Sequence, residues 1–319
     1  MMLERAEAID QMNQLGSEGL PFFFFTDFLG TKAFVRQLGE LDLSEVAFDF
    51  EQKSTEITSD FTFTKSPISY EAFLPPFQYV VDQINYGNSY LVNLTFETPI
   101  KTNLSLKEIY ERSSAQYKVC FADQFVVFSP ETFVKIKNGQ IFSYPMKGTI
   151  DASLSNAENV LMNDPKEIAE HVTIVDLIRN DLSQIAKKVS VPKFRFVSEV
   201  HTHEKTLLQV SSEIRGDLPE DYQASLGTML FQLLPAGSIS GAPKKETVRI
   251  IQEAENYERG FYTGICGVFD GKNLDSGVMI RFIENQNGQL VYKSGGGITS
   301  FSKAKSEYQE IIDKVYLPK

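Results

Sequence analysis

Three dipeptides constrain the fold of this chain more than any other feature. Asn138-Gly139, Asp270-Gly271 and Asn287-Gly288 each stand between short runs rich in apolar and β-branched residues. Asn-Gly and Asp-Gly readily adopt the left-handed conformations that reverse a chain within two residues, so they join antiparallel neighbours. The spacing predicts strands at 125–129, 133–136 and 140–144, with the last two closed by Asn138-Gly139. It also predicts a strand at 207–214 and a meander of 262–269, 278–283 and 290–293 around the other two turns. Hairpins take the place of regular βαβ alternation, which points to antiparallel sheets.

Helices fall between these strands. An amphipathic pattern covers 3–15. Phe77, Val80, Val81 and Ile84 recur at helical spacing after Pro75-Pro76, with Gly87 where a C-terminal glycine belongs. Ser105 and Glu108 read as a capping box. Asp164-Pro165 followed by Glu167 reads as a helix start with cap, proline and acid in order, the helix running to about 185. Further helices are expected from Pro243 to about 256 and over 303–315, the latter burying Tyr308, Ile311, Ile312 and Val315. Residues 20–75 read as loosely patterned strands. The class is α+β, antiparallel sheets flanked by helices.

Charge and cysteine content bound the function. The chain of 319 residues carries 31 basic against 42 acidic side chains, a net charge of −11. That lacks the basic footprint of a nucleic-acid-coating protein. Cys120 and Cys266 form neither a disulfide framework nor a CxxC zinc site. The first twenty residues lack a signal-peptide core, and Phe22 to Phe25 is too short to span a membrane. A cytoplasmic protein without membrane or nucleic-acid partners is expected.

Several residues could carry chemistry. Glu167 and Glu170 lie three apart on one expected helix, facing away from Ile168, Val172 and Val175. Glu307 and Glu310 lie three apart on another, facing away from its apolar stripe. Each pair can aim two carboxylates at one point, and four carboxylates make a hard-oxygen site suited to Mg²⁺. The same spacing also describes two solvated helix faces. Hairpin register brings Glu131 and Lys147 out at one open end, flanked by Pro130 and Pro145. An acid beside an amine suits general-acid and nucleophile roles, or an ordinary surface ion pair. Gly295-Gly296-Gly297 after a strand, and Gly237 to Lys244 before a helix, are either turns or backbone cradles for an anion. Arg281 is a charge inside an apolar run, which requires a partner. His201 and His203 read as exposed loop.

In series these segments resemble the chorismate-utilising enzyme family. The matching stretches are Ser129-Pro130-Glu131, Pro145-Met146-Lys147-Gly148-Thr149, Glu167 to His171, Val175 to Leu182, Pro235 to Lys244, Arg259 to Gly264, Ile280-Arg281, Gly295 to Ile298, and Glu307 to Glu310. They keep order and interval from about 76 to 316. The resemblance implies an anthranilate-synthase-like α/β sandwich, with 76–319 as the chorismate-binding catalytic region and 1–75 as a short N-terminal segment packing on it. Lysine at 147 resembles aminodeoxychorismate synthases component I, where anthranilate synthases carry a small residue. Leu91 stands where isochorismate and salicylate synthases place a water-activating lysine. Leu208 stands where family members commonly have histidine.

That resemblance implies Mg²⁺ held by Glu170 and Glu310, with Glu167 and Glu307 acting through water. It implies Tyr262, Arg281 and the N–H groups of Gly295, Gly296 and Gly297 on the enolpyruvyl carboxylate, with Thr149 and Ser238 as further substrate-binding residues. Glu131 would protonate the departing C4 hydroxyl while Lys147 attacks C2, and ammonia would then displace the lysine. Attack requires the neutral amine, which an enclosed site favours. The ammonia is expected from a separate glutamine amidotransferase subunit.

Overall fold

The structure is a computed structural model. It describes residues 1–51, 60–201 and 206–318, except for the side chains of Thr149, Lys166, Val200, His201 and Leu207. The expectation for His203 therefore lies outside the described residues, as do the side chains of His201 and Thr149.

Among the described residues every strand pairing is antiparallel, in sheets of ten and eight strands. The Asn-Gly turns form as their sequence requires. Asn138 and Gly139 have φ of 52° and 74°, and Asn287 and Gly288 have 54° and 92°. They set Gln140 opposite Lys137 and Gln289 opposite Gln286. Asp270-Gly271 opens a longer loop in which the Asp270 carboxylate accepts N–H groups from Lys272 and Asn273.

Strand Phe22–Thr26 shows how the layers stack, because all five of its residues are buried. Phe23 and Phe25 join Phe34, Phe121, Phe125 and Phe282 in a core between the sheets. Phe22 and Phe24 point the other way, into a larger core under the flanking helices. A strand covered on both faces cannot show alternation, which is why this segment reads as loosely patterned. The chain before residue 75 supplies strands to both sheets: Leu3–Glu4, Phe22–Thr26 and Lys32–Gln37 to the larger, Val46–Asp49 and Phe63–Lys65 to the smaller.

Most helix expectations hold. The capping box forms at Ser105 and Glu108, and the Asp164 carboxylate accepts the Glu167 N–H at 3.1 Å to start helix Pro165–Ser183. The helix expected after Pro75-Pro76 instead begins at Tyr70, capped by Ser69, and holds both prolines inside. Burial of Phe73, Phe77, Val80 and Ile84 along one side carries it through them. The expected strand 278–283 is two strands. Leu274–Val278 ends in the larger sheet and Phe282–Gln286 begins in the smaller one. The chain crosses between sheets at Met279 to Arg281, with Arg281 at φ 54°. Among the described residues, no helix is long and apolar enough to cross a membrane.

Candidate active site

The crossing between sheets opens onto a cleft of about 450 Å³. Glu131, Lys147, Glu167, Glu170, Ser238, Tyr262, Arg281, Gly295, Gly297, Glu307 and Glu310 all line it. Gly296 lies just behind, and Thr149 sits in strand Met146–Asp151 opposite Gln209.

A bulge aims Lys147. Met146 pairs with Ser211, yet Thr149 pairs with Gln209, so one extra residue interrupts the ladder. Such an insertion turns a side chain out of the sheet's alternation. Gly148 makes the turn at φ 81°, and a Cβ there would stand 3.2 Å from a Glu167 oxygen. Lys147 Nζ ends 3.8 Å from Glu170 Oε2, and a Cβ on Gly297 would lie 3.2 Å from it.

Glu131 is fixed by its backbone, whose N–H donates to Ser129 Oγ and whose carbonyl accepts the Val278 N–H. Its Oε1 accepts a short hydrogen bond from Ser238 Oγ. Enclosure raises its carboxyl above the ordinary range, against the opposing pull of Ser238 and of Lys147 and Arg281. The proton is thus retained to higher pH, as a general acid requires. Because the Ser238 hydrogen bond favours the ionised form, Ser238→Ala should move the descending limb of the pH profile of kcat/KM to higher pH. A limb moving down, or not at all, would remove Glu131 as its source.

The glutamate pairs are less solvated than their spacing suggests. On helix Pro165–Ser183 the inward face carries Glu170, Ile174 and Val175, whereas Val172 is exposed. Val172 does lie opposite the glutamates, as the spacing suggests, but on the solvent side, so the glutamate face is the one turned inward. On helix Ala304–Asp313 Glu307 is buried beside Ile311 and accepts from Ser302 Oγ at 2.7 Å, while Glu310 stays exposed. Among the described residues, no three His, Cys, Asp or Glu side chains converge as a metal cluster. The donor chemistry nonetheless suits a hard divalent cation: four carboxylates reach one cleft, and a Cβ on Gly296 would lie 3.6 and 3.7 Å from oxygens of Glu307 and Glu310. A methyl there would sit in ordinary contact with both carboxylates.

The glycine strand offers an open edge. Its neighbour Phe282–Gln286 pairs with it only as far as Lys293. Beyond that, Gly295 and Gly297 face the cleft, and the Gly295 carbonyl accepts from Lys314 Nζ at 2.8 Å. Arg281 approaches from the crossing, its Nε 3.3 Å from Tyr316 Oη. Tyr262 is buried at the wall, and burial raises its phenol so that it stays protonated.

Sequence reasoning missed Asn93, Thr263 and Lys314, which also line the cleft. Lys314 pairs with Glu310 at 2.7 Å. It lies four residues beyond Glu310 and seven beyond Glu307, the same helix face, so the spacing could have disclosed it. Asn93 Oδ1 is buried with no hydrogen-bond partner among the described residues.

On helix Pro165–Ser183, next to Glu170, His171 Nε2 meets Ser212 Oγ at 2.7 Å. Burial, with Arg195 and Lys147 nearby, lowers the imidazole to about 4. Since the folded value is depressed, the neutral ring's contribution is present above pH ~6.5 and lost as pH falls toward 4. Relative to His171→Gln, the wild type should lose roughly 3 kcal/mol of stability over that window. Urea unfolding at several pH values measures this, and parallel curves would refute it.

This arrangement meets its relatives in known proteins. The chorismate-binding enzyme family matches residues 33–318, and the chain belongs to that family. Uncharacterized PabA-like proteins of Pasteurella multocida and Haemophilus influenzae are each 48% identical to it, covering 97% of this chain and 98% and 96% of their own lengths. Aminodeoxychorismate synthase component 1 of Escherichia coli is 34% identical over 80% of this chain and 59% of its own length. Anthranilate synthase component I of Streptococcus pneumoniae superposes with a TM-score of 0.68 at 28% identity, over 80% of this chain and 59% of that one. A putative 2,3-dihydroxybenzoate-specific isochorismate synthase of Bacillus anthracis shares the fold, with a TM-score of 0.71 at 20% identity over 98% and 89% of the two chains.

Proposed function

We propose that this chain is an aminodeoxychorismate synthase component I, converting chorismate and ammonia to 4-amino-4-deoxychorismate on the route to p-aminobenzoate and folate. One observation carries the reading. The Cβ position of Gly297 looks at Lys147 Nζ at 3.2 Å and at Leu91 Cδ1 at 3.7 Å. The amine and the leucine are therefore neighbours: in this reading Lys147 is the nucleophile, and Leu91 stands where the hydrolytic branch of the family would have its base. Leucine cannot deprotonate water.

In this reading Lys147 attacks C2 of chorismate. Both conjugated ring double bonds shift, and the C4–O bond breaks as Glu131 delivers its proton, releasing water. Ammonia then adds at C4, the double bonds return, and the C2–N bond breaks to free Lys147. Glu131 recovers a proton from the new ammonium. Arg281, Tyr262 and the Gly295–Gly297 edge would bind a substrate carboxylate, with Thr149 and Ser238 adjoining. Glu170 and Glu310, with Glu167 and Glu307 behind them, would hold Mg²⁺, whose charge offsets that of a bound carboxylate. The ammonia would come from a separate glutamine amidotransferase subunit.

The decisive assay gives the purified chain chorismate, Mg²⁺ and ammonium and identifies products by chromatography. Aminodeoxychorismate supports the reading. Anthranilate would assign the chain to anthranilate synthase component I instead, and no turnover would make it a silent paralogue that binds a partner.

A further inference from the structure

Arg259 does not line the cleft, yet it touches three segments that do. It is 4% exposed. Nη2 donates to the Asn93 carbonyl at 2.6 Å, and Nη1 donates to the Ile239 carbonyl at 3.0 Å and to Thr263 Oγ1 at 3.4 Å. Nε and Nη2 also hold Glu255 at 2.9 and 2.6 Å, and the guanidinium lies over the Phe28 ring at 4.5 Å. Glu255 in turn accepts both the N–H and the hydroxyl of Thr95.

Each tethered segment bears on one side of the proposed chemistry. Asn93 is directly opposite Gly297, whose Cβ position looks at Lys147 Nζ. Ile239 follows Ser238, the hydrogen-bond partner of Glu131. Thr263 follows Tyr262 and sits at φ 63°, a strained conformation that needs support from its surroundings. A planar fork spanning these points sets their separation, which a flexible ammonium could not.

We infer that Arg259 is a positioning residue that fixes the spacing between the nucleophile wall and the acid wall of the cleft. This rests on the roles proposed for Lys147 and Glu131. The cost of misplacing reacting groups by an ångström is about a hundredfold in rate. A purely structural ion pair would show itself only as stability.

The test separates the two. Arg259→Met combined with Glu255→Gln removes both buried charges together, leaving no ion unpaired, and the glutamine oxygen can still accept from Thr95. The folded double variant should lose about a hundredfold in kcat with chorismate KM changed only a few-fold. In Arg259→Ala, added guanidinium ion should restore part of the rate, whereas Arg259→Lys should not. Amide hydrogen exchange, which needs no turnover, should rise in 91–95 and 237–242 while the inter-sheet strands keep their protection. A double variant with near wild-type kcat, or with unchanged exchange in both segments, overturns the inference. A wild type that converts chorismate to another product refutes the proposed function alone, since the exchange result still decides the role of Arg259.

Discussion

Lys147→Ala should abolish amination of chorismate, by about a thousandfold or more in kcat, even with ammonium saturating. A nucleophile that opens a covalent path cannot be replaced by raising the second substrate, because oriented attack is worth an effective concentration no solution reaches. The same variant should still bind chorismate, since Arg281, Tyr262 and the open glycine edge remain in the cleft. Removing the side chain also takes from the buried Glu170 its cationic neighbour at 3.8 Å, which costs stability, so circular dichroism of the variant separates loss of fold from loss of the nucleophile. Two measurements check this: steady-state rates with product chromatography, and mass spectrometry of the wild type after chorismate without ammonia. The wild type should gain mass at Lys147 and the variant should not. An unchanged rate at saturating ammonium would end the nucleophile role.

What could be read from the chain, and what could not, follows from the range of the forces involved. The Asn-Gly turns, the Ser105 capping box and the Asp164 cap depend on neighbours within a few residues, and each forms as read. The site residues were legible because their motifs recur in order from about 76 to 316, although most are weak singly. Arg281 exposes the limit. Its charge inside an apolar run was visible, but the passage from one sheet to the other at that point depends on strands more than a hundred residues away. The bulge at Lys147 is likewise set by pairing with the strand around Ser211. Arg259 lay within a recognised motif, yet its carbonyl partners on Asn93, in a strand, and Ile239, in a short helix, become visible only once those segments are folded together.

The acidic surplus of the chain bears directly on the second large effect. A protein of net charge −11 is a poor host for a substrate with two carboxylates unless the local sign is reversed. Lys147, Arg281 and Lys314 line the cleft, but two of them are spent on acids: Lys147 lies 3.8 Å from Glu170 and Lys314 lies 2.7 Å from Glu310. A divalent cation shared by these carboxylates would supply the missing positive charge and release both amines toward the substrate. Chelation should therefore reduce turnover to background, and added Mg²⁺ should restore it. Glu170→Gln and Glu310→Gln should each lower kcat/KM by about a hundredfold or more, because each removes a charged ligand from a site that needs them all. Calorimetry of Mg²⁺ binding gives the readout independent of turnover, and both variants should show weakened uptake. Glutamine at either position with wild-type metal affinity would place the ion elsewhere. Full activity in the presence of chelator would leave the four glutamates as an electrostatic cage for the lysines alone.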